Sequence, residues 1–206
     1  MADVTLTYKG STIAEMNATG SKTLKTSGKY CEGDIGVSYV KPSSGSGFWD
    51  EDYAKQIIEG TFTEIIWPSG VTRINSKIFN DNDNLTNVTL PNTLVFIGSG
   101  AFSSCSNLKI TTIPAGVQTI AGSAFSFCVS IQTLDILGGP DIGSHAFNNC
   151  TGLTSVTFKG TPTSISNNAF NGCTNLTNIY VPWAEGAVAG APWGATNATI
   201  HYNTTT

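Results

Sequence analysis

Four regularly spaced cysteines, two histidines and one run of amide and carboxylate side chains are the residues of this chain that could carry chemistry. Cys105, Cys128, Cys150 and Cys173 follow one another at intervals of 23, 22 and 23 residues. A thiol becomes a nucleophile only beside a base, and a structural zinc site needs ligands in close pairs. One cysteine per repeat supplies no such pair, and a Cys150–His145 couple would require the thiol to leave its row. His145 precedes Ala146-Phe147 in a slot otherwise held by Gly100, Ser123 and Asn168, which reads as solvent-facing. His201 sits in the last strand and reads as edge decoration. Asn80-Asp81-Asn82-Asp83-Asn84 clusters oxygen ligands, yet it lacks the distal acid of a Ca²⁺ loop and reads as a turn. The Gly98-Ser99, Gly122-Ser123 and Gly143-Ser144 pairs recur with the same period, so they are turn residues and not nucleophile elbows. The expectation is a chain with no enzymatic activity, no catalytic residue, no metal and no cofactor.

The cysteines belong to a longer pattern that must position them. Phe79, Phe102, Phe125, Phe147 and Phe170 recur at 23, 23, 22 and 23 residues. Each carries an isoleucine five residues before it, and a Leu or Ile six residues after it (Leu85, Leu108, Ile131, Leu153, Leu176). Three positions after the Phe stands Cys, with Asn82 in the first copy. A fixed period in this range specifies a solenoid, one supersecondary unit per turn, none able to close a core alone. The Phe and Cys rows are therefore its structural ladder. The thiols read as buried, unpaired small hydrophobes, because parallel Cβ vectors on stacked turns do not converge as a disulfide requires.

Around the ladder runs Leu-x-x-Val-x-Leu-Pro, as in Leu85…Val88…Leu90-Pro91 and Leu176…Ile179…Val181-Pro182. This reads as a parallel strand on one face, closed by proline, with a mostly irregular turn-rich outer face. In the copy beginning at Leu108, Thr111 falls where an apolar residue is due. Either the strand bulges there or Ile110 takes the inward place.

The solenoid spans 61–182. Before it, residues 1–41 alternate at period two between Gly-containing breaks, with Val4-Thr5-Leu6-Thr7-Tyr8 first. They read as a small N-terminal antiparallel β module, too short to be robust alone. Residues 42–47 form a flexible linker, and 48–60 a short helix that caps the first rung. Residues 183–206 form the C-terminal cap, with a helical or turn segment around two tryptophans and a last strand at Ala198 to Tyr202.

With Ala-Phe-x-x-Cys-x-x-Leu and Ile-Pro-x-x-Val-x-x-Ile-Gly in view, residues 61–182 resemble the BspA-like class of bacterial leucine-rich repeats, whose repeat length matches this period. The departures are Asn82, the lost proline after Ile136, and the lost valine at Gly139 and Pro162. The resemblance implies a surface-exposed binding module, adhesins included. Residues Gly20-Ser21-Lys22-Thr23-Leu24, Gly28-Lys29-Tyr30-Cys31-Glu32 and Asp34-Ile35-Gly36-Val37 resemble N-terminal modules of phage and prophage structural proteins.

The chain has 206 residues, 12% charged, with a net charge of −4 and no Lys/Arg block, which argues against nucleic acid or anionic membrane as partner. No apolar run approaches the ~18 residues of a membrane span. Met1 to Lys9 shows neither a basic start nor an apolar stretch, so no secretory signal is read there. The expectation is a virion-associated fibre or decoration, made in the host cytoplasm. It would dock to other virion proteins through residues 1–41, in several copies per particle, and present its sheet to a host-surface glycan or protein. The alternative is a bacterial cell-surface adhesin. The binding surface expected in either case is the outward rows of the sheet: Asn87, Thr89, Thr112, Thr133, Asp135, Ser155, Thr157, Asn178 and Tyr180. At its end, Tyr180 and Trp183 could stack on a sugar.

Overall fold

A side chain that recurs once per repeat can pack against its own copies only if each turn closes back above the one before. The computed structural model shows this closure. It describes residues 71–204 except 75, 78 and 84, together with the backbone strands Thr5–Tyr8 (β1), Ser11–Thr12 (β2), Asp34–Ile35 (β3) and Glu64–Ile66 (β4). The Phe79, Phe102, Phe125, Phe147 and Phe170 rings stack in one column. Their centroids lie 5.2–5.3 Å apart and successive planes are tilted by 5–17°. That spacing is close to the ~4.8 Å between paired strands, so ring stacking and backbone pairing reinforce one pitch.

Each turn has three sides. The first is the strand expected from Leu-x-x-Val-x-Leu: Thr112–Ile113 (β7), Thr133–Ile136 (β9), Ser155–Phe158 (β11), Asn178–Tyr180 (β12) and Thr199–His201 (β13). These pair in parallel in the order β13-β12-β11-β9-β7. Side chains alternate, with Leu134, Ile136, Val156, Phe158 and Ile179 buried. In the irregular copy, Ile110 and Ile113 are buried while Thr111 and Thr112 both face outward. Two successive outward residues between inward ones make a local bulge, and Ile110 takes the inward place; the two sequence alternatives are one arrangement.

The second side is more regular than the outer face expected from the repeat pattern. Arg73–Ile74 (β5), Phe96–Ile97 (β6), Thr119–Ile120 (β8) and Asp141–Ile142 (β10) form a narrow parallel strip, extended by a bridge from Ile142 to Ile165. The isoleucines point inward and are fully or almost fully buried. A two-residue extended segment is enough here, because every turn supplies the same pair of backbone partners. Between the sides the backbones crowd. A Cβ on Gly160 would lie 2.7 Å from the Gly138 carbonyl carbon, which restricts that corner to glycine.

The third side carries the Phe ladder on turns. Lys77, Gly100, Ser123 and His145 adopt left-handed φ of 57–61°, as do Asp81, Ser104, Phe127 and Asn149 at 55–60°. These kinks aim alternate N–H groups at the following turn: Phe79 N to Ala101 O at 2.9 Å, Phe102 N to Ala124 O at 2.8 Å, Phe125 N to Ala146 O at 2.7 Å.

The core runs along the axis between the three sides and ends on Trp193 and Trp183. Residues 184–194 are turns, not helix. The N-terminal expectation changes. β1 pairs antiparallel with β2 but also with β4, which lies outside 1–41, and β3 joins β5 in the solenoid strip. A self-contained module of 1–41 is therefore not what these pairings describe. The linker 42–47 and the expected helix 48–60 lie outside the described residues, and among the described residues there is no helix.

Removing one ring breaks the column. Phe125→Ala should cost about 3–5 kcal/mol in guanidinium unfolding, whereas Thr133→Ala, on the outward face, should cost under about 0.5 kcal/mol. Equal costs would mean that the assignment of inward and outward faces is wrong.

Candidate functional site

The register of the five-stranded sheet sorts its outward residues into two rows. One runs Thr133, Ser155, Asn178, Thr199, and the other Thr112, Asp135, Thr157, Tyr180, His201. Asn87 and Thr89 are exposed on the preceding turn. Nine of the ten residues singled out by alternation thus lie outward, exposed or partly so, and the structure gathers them on one side. The tenth does not join them. Trp183 is buried, edge-on to Phe158 at 5.2 Å and to Trp193 at 6.4 Å, so it closes the core and offers no face to a sugar. Its Nε1 is buried without a hydrogen-bond partner. The period is lost after Pro182, so alternation could not decide which side of the chain Trp183 faces.

His201 is the residue that sequence reasoning undervalued. It lies beside Tyr180 in register, the rings stacked at 4.6 Å and 15°. Its Nε2 is 2.9 Å from Asn178 Oδ1. The signal was present: Thr199-Ile200-His201 repeats the out-in-out order of Asn178-Ile179-Tyr180. Beside these rows, Thr154 Oγ1 donates to Gln132 O at 3.0 Å and Thr177 Oγ1 to Thr154 O at 3.4 Å. Hydroxyls here tie one turn to the last.

The second strip presents Arg73, its guanidinium 4.0 Å from the Phe96 ring centroid, then Thr119 and Asp141. Asp141 accepts from Ser164 N at 2.9 Å and Ser164 Oγ at 3.2 Å.

The thiols form the ladder that the spacing implies, and they do more than fill space. Cys105, Cys128, Cys150 and Cys173 are unpaired, and each Sγ donates to the carbonyl of the phenylalanine one turn back: Phe79, Phe102, Phe125 and Phe147, at 2.9–3.0 Å. The same carbonyls accept an N–H within their own turn, as from Cys105 N to Phe102 O at 3.2 Å. Both lone pairs of a buried carbonyl are thereby used. Asn82 occupies the same row, buried. It is buried while Asp81 and Asp83 are exposed, and Asp83 Oδ1 accepts from Ser106 Oγ at 2.6 Å, so Asn82 and these two carboxylates do not share one exposed site.

Burial pushes the Cys105 thiol up to about 12, and the Cys128 and Cys150 thiols well above their ordinary value. Cys173 departs from them: a hydrogen bond from the Cys150 thiol lowers it. The three raised thiols, neutral and buried, are poor nucleophiles. His145 is half-buried on the turn side, 2.9 Å from Ser144 Oγ through Nδ1 and 3.2–3.3 Å from Asn168 Nδ2. Its ring is held by that network of Ser144 and Asn168.

Residues 58–177 match the BspA type leucine rich repeat region in six copies. The chain belongs to this family. Among solved structures, a leucine-rich repeat protein of T. pallidum matches with a TM-score of 0.55 at 24% identity, over 69% of this chain and 70% of that one. A leucine-rich repeat protein from Bacteroides ovatus matches with a TM-score of 0.42 at 21% identity, over 68% of this chain and 43% of that one. The pneumococcal vaccine antigen PcpA matches with a TM-score of 0.42 at 19% identity, over 69% of this chain and 45% of that one. This BspA-type chain thus spans under half the length of the last two. No curated protein matches. None of these matches supports the virion role, and the residues behind the phage-like resemblance lie outside the described residues except Asp34–Ile35.

The raised thiols carry a pH signature. Between an unfolded pKa near 9 and a folded one near 12 for Cys105, the fold keeps a proton that the unfolded chain has released. Stability therefore falls as pH rises above about 9, by about 1.4 kcal/mol per pH unit for each such thiol, and is insensitive to them below it. Guanidinium titrations at about pH 8, 9 and 10 should show this decline, with a shallower slope in Cys105→Ala. A slope unchanged by that substitution would place the thiol in solvent.

Proposed function

We propose that this chain is a non-catalytic adhesive module of the bacterial cell surface, which binds a glycan or protein of a host or its matrix across the outward rows of the β7–β13 sheet. One observation carries the reading. Two outward rows run along the sheet from Thr133 and Asp135 to Thr199 and His201, on strands whose other side chains are buried or, at Ile200, partly buried. These outward side chains are free to be chosen for contact. The rows contain one carboxylate, Asp135, and no lysine or arginine, so they suit a neutral, hydrogen-bonding partner. A solenoid offers such a partner an extended surface at fixed pitch. Family membership supports the same reading, since BspA-like repeats serve generally as surface-exposed binding scaffolds.

The test is adherence. Purified full-length chain on beads should bind host cells or extracellular matrix. The double variant Thr133→Arg/Thr157→Arg places bulk and charge across both rows and should reduce binding at least about tenfold. Ser99→Arg and Ser144→Arg, on exposed parts of the turn side, should leave it unchanged. Loss with the turn-side variants and retention with the sheet variant would refute the reading.

A further inference from the structure

We propose that the C-terminal end of the sheet, centred on Tyr180 and His201, is a subsite for a neutral hexose of a glycan. This rests on the sheet-face reading above and names its ligand class.

The argument starts from hydrogen-bond polarity. Thr177 Oγ1 donates to Thr154 O, so its lone pair is left to accept Asn178 Nδ2 at 3.0 Å. That orients the Asn178 amide, and its Oδ1 must then accept the proton on His201 Nε2 at 2.9 Å. In the tautomer that carries its single proton on Nε2, the imidazole presents Nδ1 as an acceptor. One row away from Asn178, in register, stand Asp135, Thr157, Tyr180 and His201. Asp135 can only accept; the Thr157 and Tyr180 hydroxyls can do either. Asp135 lies two strands before Tyr180, so the acceptor at the end itself is His201 Nδ1, flanked by hydroxyls that can accept as well, and this set matches a ligand that donates hydrogen bonds along the row. A sugar diol does so without charge. A polycation would also donate, but it would meet a single carboxylate in these rows. An anionic sugar would meet that carboxylate with no cation to offset it.

The aromatic pair supplies the second half of the recognition. Tyr180 and His201 are the aromatics of the two rows, both partly exposed, and each covers one face of the other. Their mutual stacking holds the rings in place before a ligand arrives, which lowers the entropy lost on binding. The partner gains pre-set apolar edges for its C–H groups, beside the phenol hydroxyl and Nδ1 for its O–H groups. No other pair of neighbouring strands in this sheet combines rings, an amide and hydroxyls.

The experiment is a glycan array probed with the full-length chain, followed by calorimetry on the strongest neutral hit. Neutral hexose-containing glycans are expected to bind above sialylated or sulfated ones. Tyr180→Phe keeps the stack and removes the hydroxyl; it should weaken affinity several-fold. His201→Ala should weaken it at least about tenfold, and Asn178→Leu, which releases the imidazole orientation, by a similar factor. Ser99→Ala, on the exposed turn side and outside the sheet rows, should change nothing. Thermal melting keeps the variants comparable, and Tyr180→Phe guards against loss through misfolding. An array silent for neutral glycans, or affinity untouched by Tyr180→Phe and His201→Ala, overturns the subsite. If the array is silent while Thr133→Arg/Thr157→Arg still abolishes cell adherence, only the sugar assignment falls. If adherence is also indifferent to that double variant, both readings fall.

Discussion

The rest of the structure depends on one repeated carbonyl. At Phe79, Phe102, Phe125 and Phe147 the chain turns sharply with the ring driven inward, leaving a backbone oxygen in the core. Water cannot reach it, and one N–H from its own turn occupies only half its capacity. The thiol of the next turn provides the second donor. This explains why a cysteine, small and apolar with a weak S–H, recurs where valine or alanine would also fit. The aromatic column and the thiol row are then two sides of one device. The rings set the lateral position of each turn, and the S–H groups satisfy the polar group that the rings force indoors.

Such a device demands constant turn length at the ladder but not elsewhere. The one copy that is a residue shorter shows this. Ile113 pairs with Ile136, and Ile120 with Ile142, so the missing residue falls between the two strips, at Leu137-Gly138-Gly139-Pro140. There the backbone is already crowded: a Cβ on Gly138 would run into Ala115. Pro140 and Pro162 are buried in the stretch where earlier turns bury Leu94 and Val117. The lost proline after Ile136 and the lost valines are thus absorbed at a corner, and neither the Phe column nor the sheet register shifts.

The ladder and the first sheet are legible in the sequence because both are periodic: Phe, Cys and the Leu-x-x-Val-x-Leu strand repeat often enough to fix inside from outside. Legibility ends where period ends. Thr111 breaks the alternation, and local pattern does not say that Ile110 turns inward. The Asp141–Ile142 type of strand is two residues long, below what alternation can register, so the second strip stays hidden. Trp183 reads as a sugar-stacking residue because it follows the last repeat strand directly, yet the open end of a core outweighs sequence position. His201 reads as decoration in isolation because its stacking partner lies one full turn earlier, a relation that only register reveals. The S–H to carbonyl bonds escape composition altogether, since they join positions 25 or 26 residues apart.

Along the phenylalanine side, the inter-turn N–H groups point forward to the carbonyls of the following turn, from Lys77 N to Ser99 O through Phe170 N to Trp193 O. Strand pairing on the other sides runs in both directions and has no such sense. The stack is therefore polar, and its two extremities are chemical opposites along this edge. One terminates in acceptors, the other in donors. A lid that seals the far extremity has to bring oxygens, as the Trp193 carbonyl does, and the same lid moved to the near extremity would meet oxygens of its own kind. Elongation by whole turns is permitted anywhere in the middle, but closure is direction-specific, a consequence of the orientation of a single row of amides.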